Sequence, residues 1–247
     1  MKKLLDFVEK KPFAGVRKVA VVALWVALAG SLLSCGKFTD SDTSYDCKDE
    51  LYSYNTGVKS FFLDHYSFRS DCIFIGFNSH AQTTEIMNFI KETGLFEPVD
   101  PKSNHRVLRM EGVSYLFVYT KRRKPCYQLK DIINKLEMVD IVSYAHLAFC
   151  SRHDNCKSIF SFSGFFRVTL KDKDDFTDLN DLALETNTRI IRQSRHNPDE
   201  FILEANKYSK GNAMQMANYF FETGKFAATM LDFWSDERIN EAGNPYI

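Results

Sequence analysis

Four residues past the middle of the chain have the types and spacing of a metal site. His146, Cys150, His153 and Cys156 place two imidazoles and two thiols within eleven positions, an arrangement that could hold zinc tetrahedrally. The same cysteines support two plainer readings: a disulfide closing the loop from Cys150 to Cys156, or free thiols. Asp172, Asp174 and Asp175 offer hard oxygen ligands. They lack the glycine and terminal glutamate of an EF-hand loop, so capping a helix and matching its dipole is the simpler use. Lys121-Arg122-Arg123-Lys124 lies in a loop before a helix, where a solvated turn explains it better than a phosphate site. No glycine-rich phosphate loop occurs. The expectation is therefore no metal and no cofactor. Cys47, Cys72 and Cys126 have no pairing legible from spacing.

The elements that must hold these residues alternate in a regular order. Cys72 to Phe77 is a short apolar run, a strand. Thr83 or Thr84 can cap a helix carrying Ile86, Phe89 and Ile90, and Gly94 ends it. Val107–Met110 and Val113–Thr120 flank Glu111-Gly112 as a hairpin. Leu129, Ile132, Ile133 and Leu136 share a helix face, and Ile141 to Phe149 reads as a strand. The order is β-α-β-β-α-β, the ferredoxin-like arrangement.

The order then repeats. Phe165–Leu170 is a strand, and Asp175 or Thr177 can cap a helix carrying Leu179, Leu182 and Ala183. Thr188–Ser194 and Phe201–Ala205 form a hairpin around Asn197-Pro198-Asp199. Ala213, Met216, Ala217 and Phe220 fall on one helix face behind Gly211 and Asn212, and Gly224 stops that helix. Lys225–Phe233 is the last strand. The words Glu92-Thr93-Gly94-Leu95-Phe96 and Glu222-Thr223-Gly224-Lys225-Phe226 nearly repeat. They sit on the first helix of one unit and the second of the other, so shared capping explains them as well as duplication does.

Composition narrows the class. The 32 basic and 32 acidic residues balance, which leaves no nucleic-acid footprint. Lys2, Lys3, Lys10, Lys11, Arg17 and Lys18 precede an apolar run from Val19 to Leu33, the shape of a signal peptide. Leu32-Leu33-Ser34-Cys35 is similar to a bacterial lipobox, which implies lipidation at Cys35 and a membrane anchor in the cell envelope. Without the leader the net charge is −4. Residues 35–58 read as a polar tether, and Lys59 to Phe68 as an extra strand or short helix. The domains follow: 1–34 leader, 35–58 tether, 59–157 and 158–234 folded units, 235–247 tail.

The second unit carries a resemblance. Gly211, Asn212, Ala213, Met216, Ala217, Asn218, Phe220, Phe221, Glu222, Thr223, Gly224, Phe226, Ala227, Asp232 and Phe233 form a phrase similar to the end of the fervidolysin-type N-terminal prodomain of bacterial subtilisin-like serine peptidases. Phe165–Leu170, Leu182-Ala183, Glu185-Thr186-Asn187 and Ile190-Ile191 extend it, so it spans about Ile159 to Phe233, with the first unit matching only in outline. Met230-Leu231 departs from the Glu-Pro usual there. The resemblance implies a ferredoxin-like fold. It also implies a partner, a subtilisin-like serine peptidase, which the prodomain helps to fold and blocks by packing a sheet face on it while the tail enters the cleft. Trp234 to Ile247 would be that tail, with Ser235, Asp236, Glu237, Arg238, Ile239 and Asn240 as its binding part, because Pro245 lacks the N–H an added strand donates. The Asp, His and Ser phrases of a subtilase are absent from the sequence. Asn244-Pro245-Tyr246-Ile247 resembles the opening of the segment that leads into a catalytic domain. The expectation is a non-enzyme. The rival readings are a surface binding or adhesion lipoprotein and a remnant of a truncated peptidase.

Overall fold

The computed structural model describes residues 51–55, 58–61, 66–99, 107–151, 156–172 and 176–236. A hairpin comes first, β1 (Tyr52–Asn55) against β2 (Val58–Phe61). The first repeat follows as β3 (Tyr66–Phe77), α1 (Thr83–Thr93), β4 (Leu108–Met110), β5 (Val113–Tyr119), α2 (Cys126–Glu137) and β6 (Val142–Ser151). The second is β7 (Ile159–Leu170), α3 (Phe176–Thr186), β8 (Arg189–Gln193), β9 (Glu200–Glu204), α4 (Ala213–Glu222) and β10 (Phe226–Asp236).

Both repeats close the same way. The first runs β4-β5-β3-β6 and the second β8-β9-β7-β10, every pair antiparallel. The chain is α+β, with two tandem ferredoxin-like βαββαβ domains. Strand β7 joins them into one sheet. Its first residues pair with β6 (Phe149↔Phe160 and Cys150↔Ile159), while Phe165–Thr169 pair with β9 on that same side. All described residues belong to one unit, Asp40–Ile247.

Alternation along the strands decides what each face covers. In the first domain Phe77 points to the helices and meets Phe89 of α1 at 6.1 Å. In the second, Phe166 meets Phe220 of α4 at 5.3 Å, and Phe220 stacks on Phe226 at 5.6 Å. The opposite, helix-free faces turn toward each other. Phe74, Tyr115, Phe117 and Tyr144 from the first domain form one core cluster with Phe165 and Ile202 from the second, with Ile191 and Trp234 packed against it. Tyr115 and Trp234 lie 4.8 Å apart, ring to ring. The Tyr144 ring lies over two strands where only glycine leaves room. A Cβ at Gly164 would come within 2.6 Å of it, and one at Gly76 would overlap it.

The helix ends explain the repeated words. Gly94 (φ 64°) and Gly224 (φ 69°) both take the left-handed conformation after a helix. Thr93 Oγ1 donates to Ile90 O and accepts from Leu95 N, and Thr223 Oγ1 treats Phe220 O and Lys225 N alike. The similarity is therefore a shared way of ending a helix, used at non-equivalent helices. Asn212 starts α4 with a full capping box: its side chain accepts from Gln215 N and the Gln215 side chain accepts from Asn212 N. α1 differs from expectation. Gln82, not Thr83 or Thr84, precedes it, and no side-chain cap forms.

Four boundaries move. Tyr52–Asn55, expected in the tether, form β1, because their aromatic rings find a partner in α4. Tyr52 and Tyr54 hydroxyls both donate to Glu222 Oε1, at 3.0 and 2.8 Å, and Tyr54 lies 4.5 Å from the Phe221 ring. Strands β3 and β7 start earlier than their apolar runs, since pairing with β6 and β10 carries them on. β10 runs on through Trp234, Ser235 and Asp236, which pair with Ser161, Phe160 and Ile159. These three residues, expected to open the tail, are part of the sheet.

Candidate functional site

The spacing of His146, Cys150, His153 and Cys156 resolves to a disulfide between Cys150 and Cys156. Its sulfurs are spent on each other, so the zinc arrangement is not built. His146 sits in β6 and is buried at 4% exposure. Its Nδ1–H donates to the Phe162 carbonyl at 2.9 Å, and its ring stacks on Tyr144 at 4.9 Å. Burial pushes its pKa down to about 4, so the ring is neutral at pH 7. Among the described residues no three His, Cys, Asp or Glu side chains are placed to hold a metal. Cys126 is also disulfide-bonded. Cys35, Cys47, His153, Asp174 and Asp175 lie outside the described residues, as do Glu237, Arg238, Ile239 and Asn240.

Of the residues expected to meet a partner, Ser235 and Asp236 are therefore the two with a described position. They end β10 beside the start of β7, where Ile159 also pairs with Cys150 of β6. The last described residue, Asp236, thus lies at the seam between the two domains. The helix-free face of the second domain reaches outward from there in two halves. Phe165, Ile202 and Trp234 make the inner half, under the first domain's aromatics. Arg167, Thr169, Ala228 and Met230 make the outer half, where Met230 is 60% exposed. An ion pair of Arg167 with Glu200, 3.6 Å, crosses this outer half.

A polar network sits where the halves meet. The register of β7 against β10 slips between Leu231 and Phe233, opposite Ser163 to Phe165. Asp232 Oδ2 there accepts from Ser163 Oγ and from Trp234 Nε1, each at 3.0 Å, and Ser163 Oγ accepts from Phe165 N. Burial raises the Asp232 pKa, opposed by those two donors. Ser163 donates to the carboxylate, so the network ties β7 to β10 at this slip. Nearby, the buried hydroxyl of Tyr115 has no hydrogen-bond partner among the described residues, and burial raises the pKa of Tyr115 and of Tyr144.

A cavity of about 400 Å³ opens elsewhere, between α2, α4 and β6. Glu137, His146, Lys207, Asn212 and Gln215 line it. Their polar atoms serve the fold: Glu137 Oε1 accepts from Ala145 N, Lys207 Nζ donates to Val139 O, and Asn212 and Gln215 form the capping box.

No family model matches the chain. No curated protein matches it either. Among solved structures the chain is similar to the small subunit of acetolactate synthase from Thermotoga maritima, at 12% identity and a TM-score of 0.26, over 69% of this chain and 98% of that one.

Sequence reasoning missed the seam. One signal for it was present. Cys72 to Phe77 is apolar at consecutive positions, and every one of these residues is buried. A strand hydrophobic on both faces needs a cover on each, and the helices of its own domain cover one.

Proposed function

We propose that this chain is a non-catalytic, exported lipoprotein that acts as a subtilase prodomain does, inhibiting a subtilisin-like serine peptidase or assisting its folding. The observation that carries the reading is the last strand. β10 flanks β7 from Phe226 to Asp236 and is extended to its last residue, the form in which a peptide enters a protease cleft as an added strand. The binding part expected at Ser235, Asp236, Glu237, Arg238, Ile239 and Asn240 starts at the end of this strand, where Ser235 and Asp236 pair with Phe160 and Ile159. The phrase from Gly211 to Phe233 that resembles the prodomain family builds α4 and β10, the elements that aim this exit. The disulfide-bonded state of Cys126, Cys150 and Cys156 supports an exported protein, because disulfides persist in oxidising compartments. Anchoring through Cys35 belongs to the same reading, and Cys35→Ala should leave the precursor unprocessed in envelope fractions.

A second reading has its own support. Half of the helix-free face that a prodomain would present is packed under the first domain, which suits a surface binding lipoprotein that uses the fold for another partner.

The deciding assay titrates the chain from residue 36 to 247 against a subtilisin-like peptidase of the same genome, beside a version ending at Asp236. Inhibition at micromolar chain, weakened by the truncation while circular dichroism stays unchanged, is the expected result. Full peptidase activity with folded chain favours the second reading.

A further inference from the structure

The two docking elements named above, the helix-free sheet face and the tail exit, both lie at the seam with the first domain. We propose that the first domain is a built-in competitor for the peptidase: its sheet masks the inner half of the docking face, and engagement of the second domain requires the seam to open. This inference rests on the prodomain reading.

The geometry of the masking is specific. Tyr115 covers Trp234 at 4.8 Å, and Phe165 and Ile202, at 1% and 8% exposure, share their cluster with Phe74 and Phe117. A second protein cannot reach Phe165 or Ile202 while the first domain is on them, and it finds Trp234 partly covered. The exit at Asp236 lies one strand pair from β6, so a catalytic domain drawing the tail into its cleft meets the first domain as well.

The seam is also built to separate. Buried polar groups in settled cores are hydrogen-bonded, yet the Tyr115 hydroxyl is buried with no partner among the described residues. Opening returns it to water and removes that cost. Strand pairing between the domains is two residue pairs of β6 and β7, reinforced at the same joint by Lys207 N donating to Ser143 O, Ser161 Oγ to Leu147 O and His146 Nδ1 to Phe162 O, so opening would hinge there. At the rim, Arg192 Nε and Nη2 donate to Glu111 Oε1 at 2.9 and 2.6 Å. Arg192 lies on β8 and Glu111 in the β4–β5 turn, so this ion pair spans the domains and its side chains are partly exposed. Breaking it favours the open state without emptying the core.

The test uses the chain from residue 36 to 247, an inactive peptidase whose nucleophilic serine is alanine, and hydroxyl-radical footprinting of side chains. Saturating peptidase should raise labelling of Tyr115, now fully buried. Arg192→Glu should bind the peptidase roughly threefold to tenfold more tightly than wild type, the scale of a lost partly exposed pair. Adding Glu111→Arg to Arg192→Glu restores opposite charges and should return the affinity toward wild type. Wild-type binding with Tyr115 still protected, and with Arg192→Glu no tighter, overturns masking while leaving the prodomain reading intact. Absence of binding by wild type and Arg192→Glu alike overturns both.

Discussion

The two domains share one strand order and differ in what their helix-free faces do. In the first, Phe74, Tyr115, Phe117 and Tyr144 are all buried against the other domain. In the second, Phe165 and Ile202 are buried while Met230 and Ala228 on the same face are exposed. The larger, more polar remainder belongs to the domain that also releases the tail. One ferredoxin-like unit thus buries this face and the other leaves half of it exposed. The same topology supports both because the helices occupy only one face of each sheet, leaving the other to be spent by sequence.

The sharpest way to break this comparison is at the second domain's own core. Phe220 is fully buried between Phe166 and Phe226. Phe220→Ala should cost roughly 3–5 kcal/mol in denaturant melts, and a loss under about 1 kcal/mol would show that α4 does not close this core.

His146 tests the joint between the domains, since it lies in β6 and its partner carbonyl, Phe162, in β7. Its pKa in the fold is lowered to about 4, below the ordinary value of about 6.5. The unfolded chain therefore binds this proton first, and stability falls as pH drops from about 6.5 to about 4, by a total on the order of 3 kcal/mol. Asp232 acts in the opposite sense. Its pKa is raised by burial, so its contribution improves as pH falls through the folded-state value. Urea midpoints for wild type and His146→Gln between pH 7 and pH 4 should diverge, with wild type losing more. Parallel curves would place the imidazole in water.

The smallest effect compares helix starts. α4 in the second domain has a capping box, whereas α1 and α2 follow Gln82 and Pro125 without side-chain caps. Asn212→Ala should cost about 1 kcal/mol, and Gln82→Ala close to nothing. Equal shifts in melting temperature would remove that distinction.

Much of this architecture was legible from local pattern. Ile86, Phe89 and Ile90, or Leu129, Ile132 and Leu136, are buried on the helix faces their spacing indicated. Gly94 and Gly224 stop their helices because glycine accepts positive φ. The hairpin turn at Glu111-Gly112 is also as read, with φ of 48° and 81°. Strand ends were less legible. Tyr66 to Asp71 and Trp234 to Asp236 mix polar and aromatic residues, and it is their neighbours across the sheet that hold them extended. The seam was least legible, because Tyr144 meets Gly164 twenty residues later and Tyr115 meets Trp234 far beyond. Spacing within one element contains nothing about such a meeting. The cysteine pair shows the limit from the chemical side: Cys150 and Cys156 at that spacing suit a metal or a disulfide, and the bond between their sulfurs decides it.

The central claim is that the proposed partner-binding face is built into a core shared by both domains. Trp234 reports on it directly. The chain holds two tryptophans, Trp25 and Trp234, so a protein starting at residue 36 has Trp234 as its one indole. Urea unfolding followed by Trp234 fluorescence, which senses the seam, and by far-ultraviolet circular dichroism, which senses both domains, should give one coincident transition. The fragment 158–247 alone, with Phe165 and Trp234 uncovered, should show no cooperative transition at that midpoint. Two separate transitions in the longer chain, or a fragment unfolding at the same midpoint, would contradict a shared core.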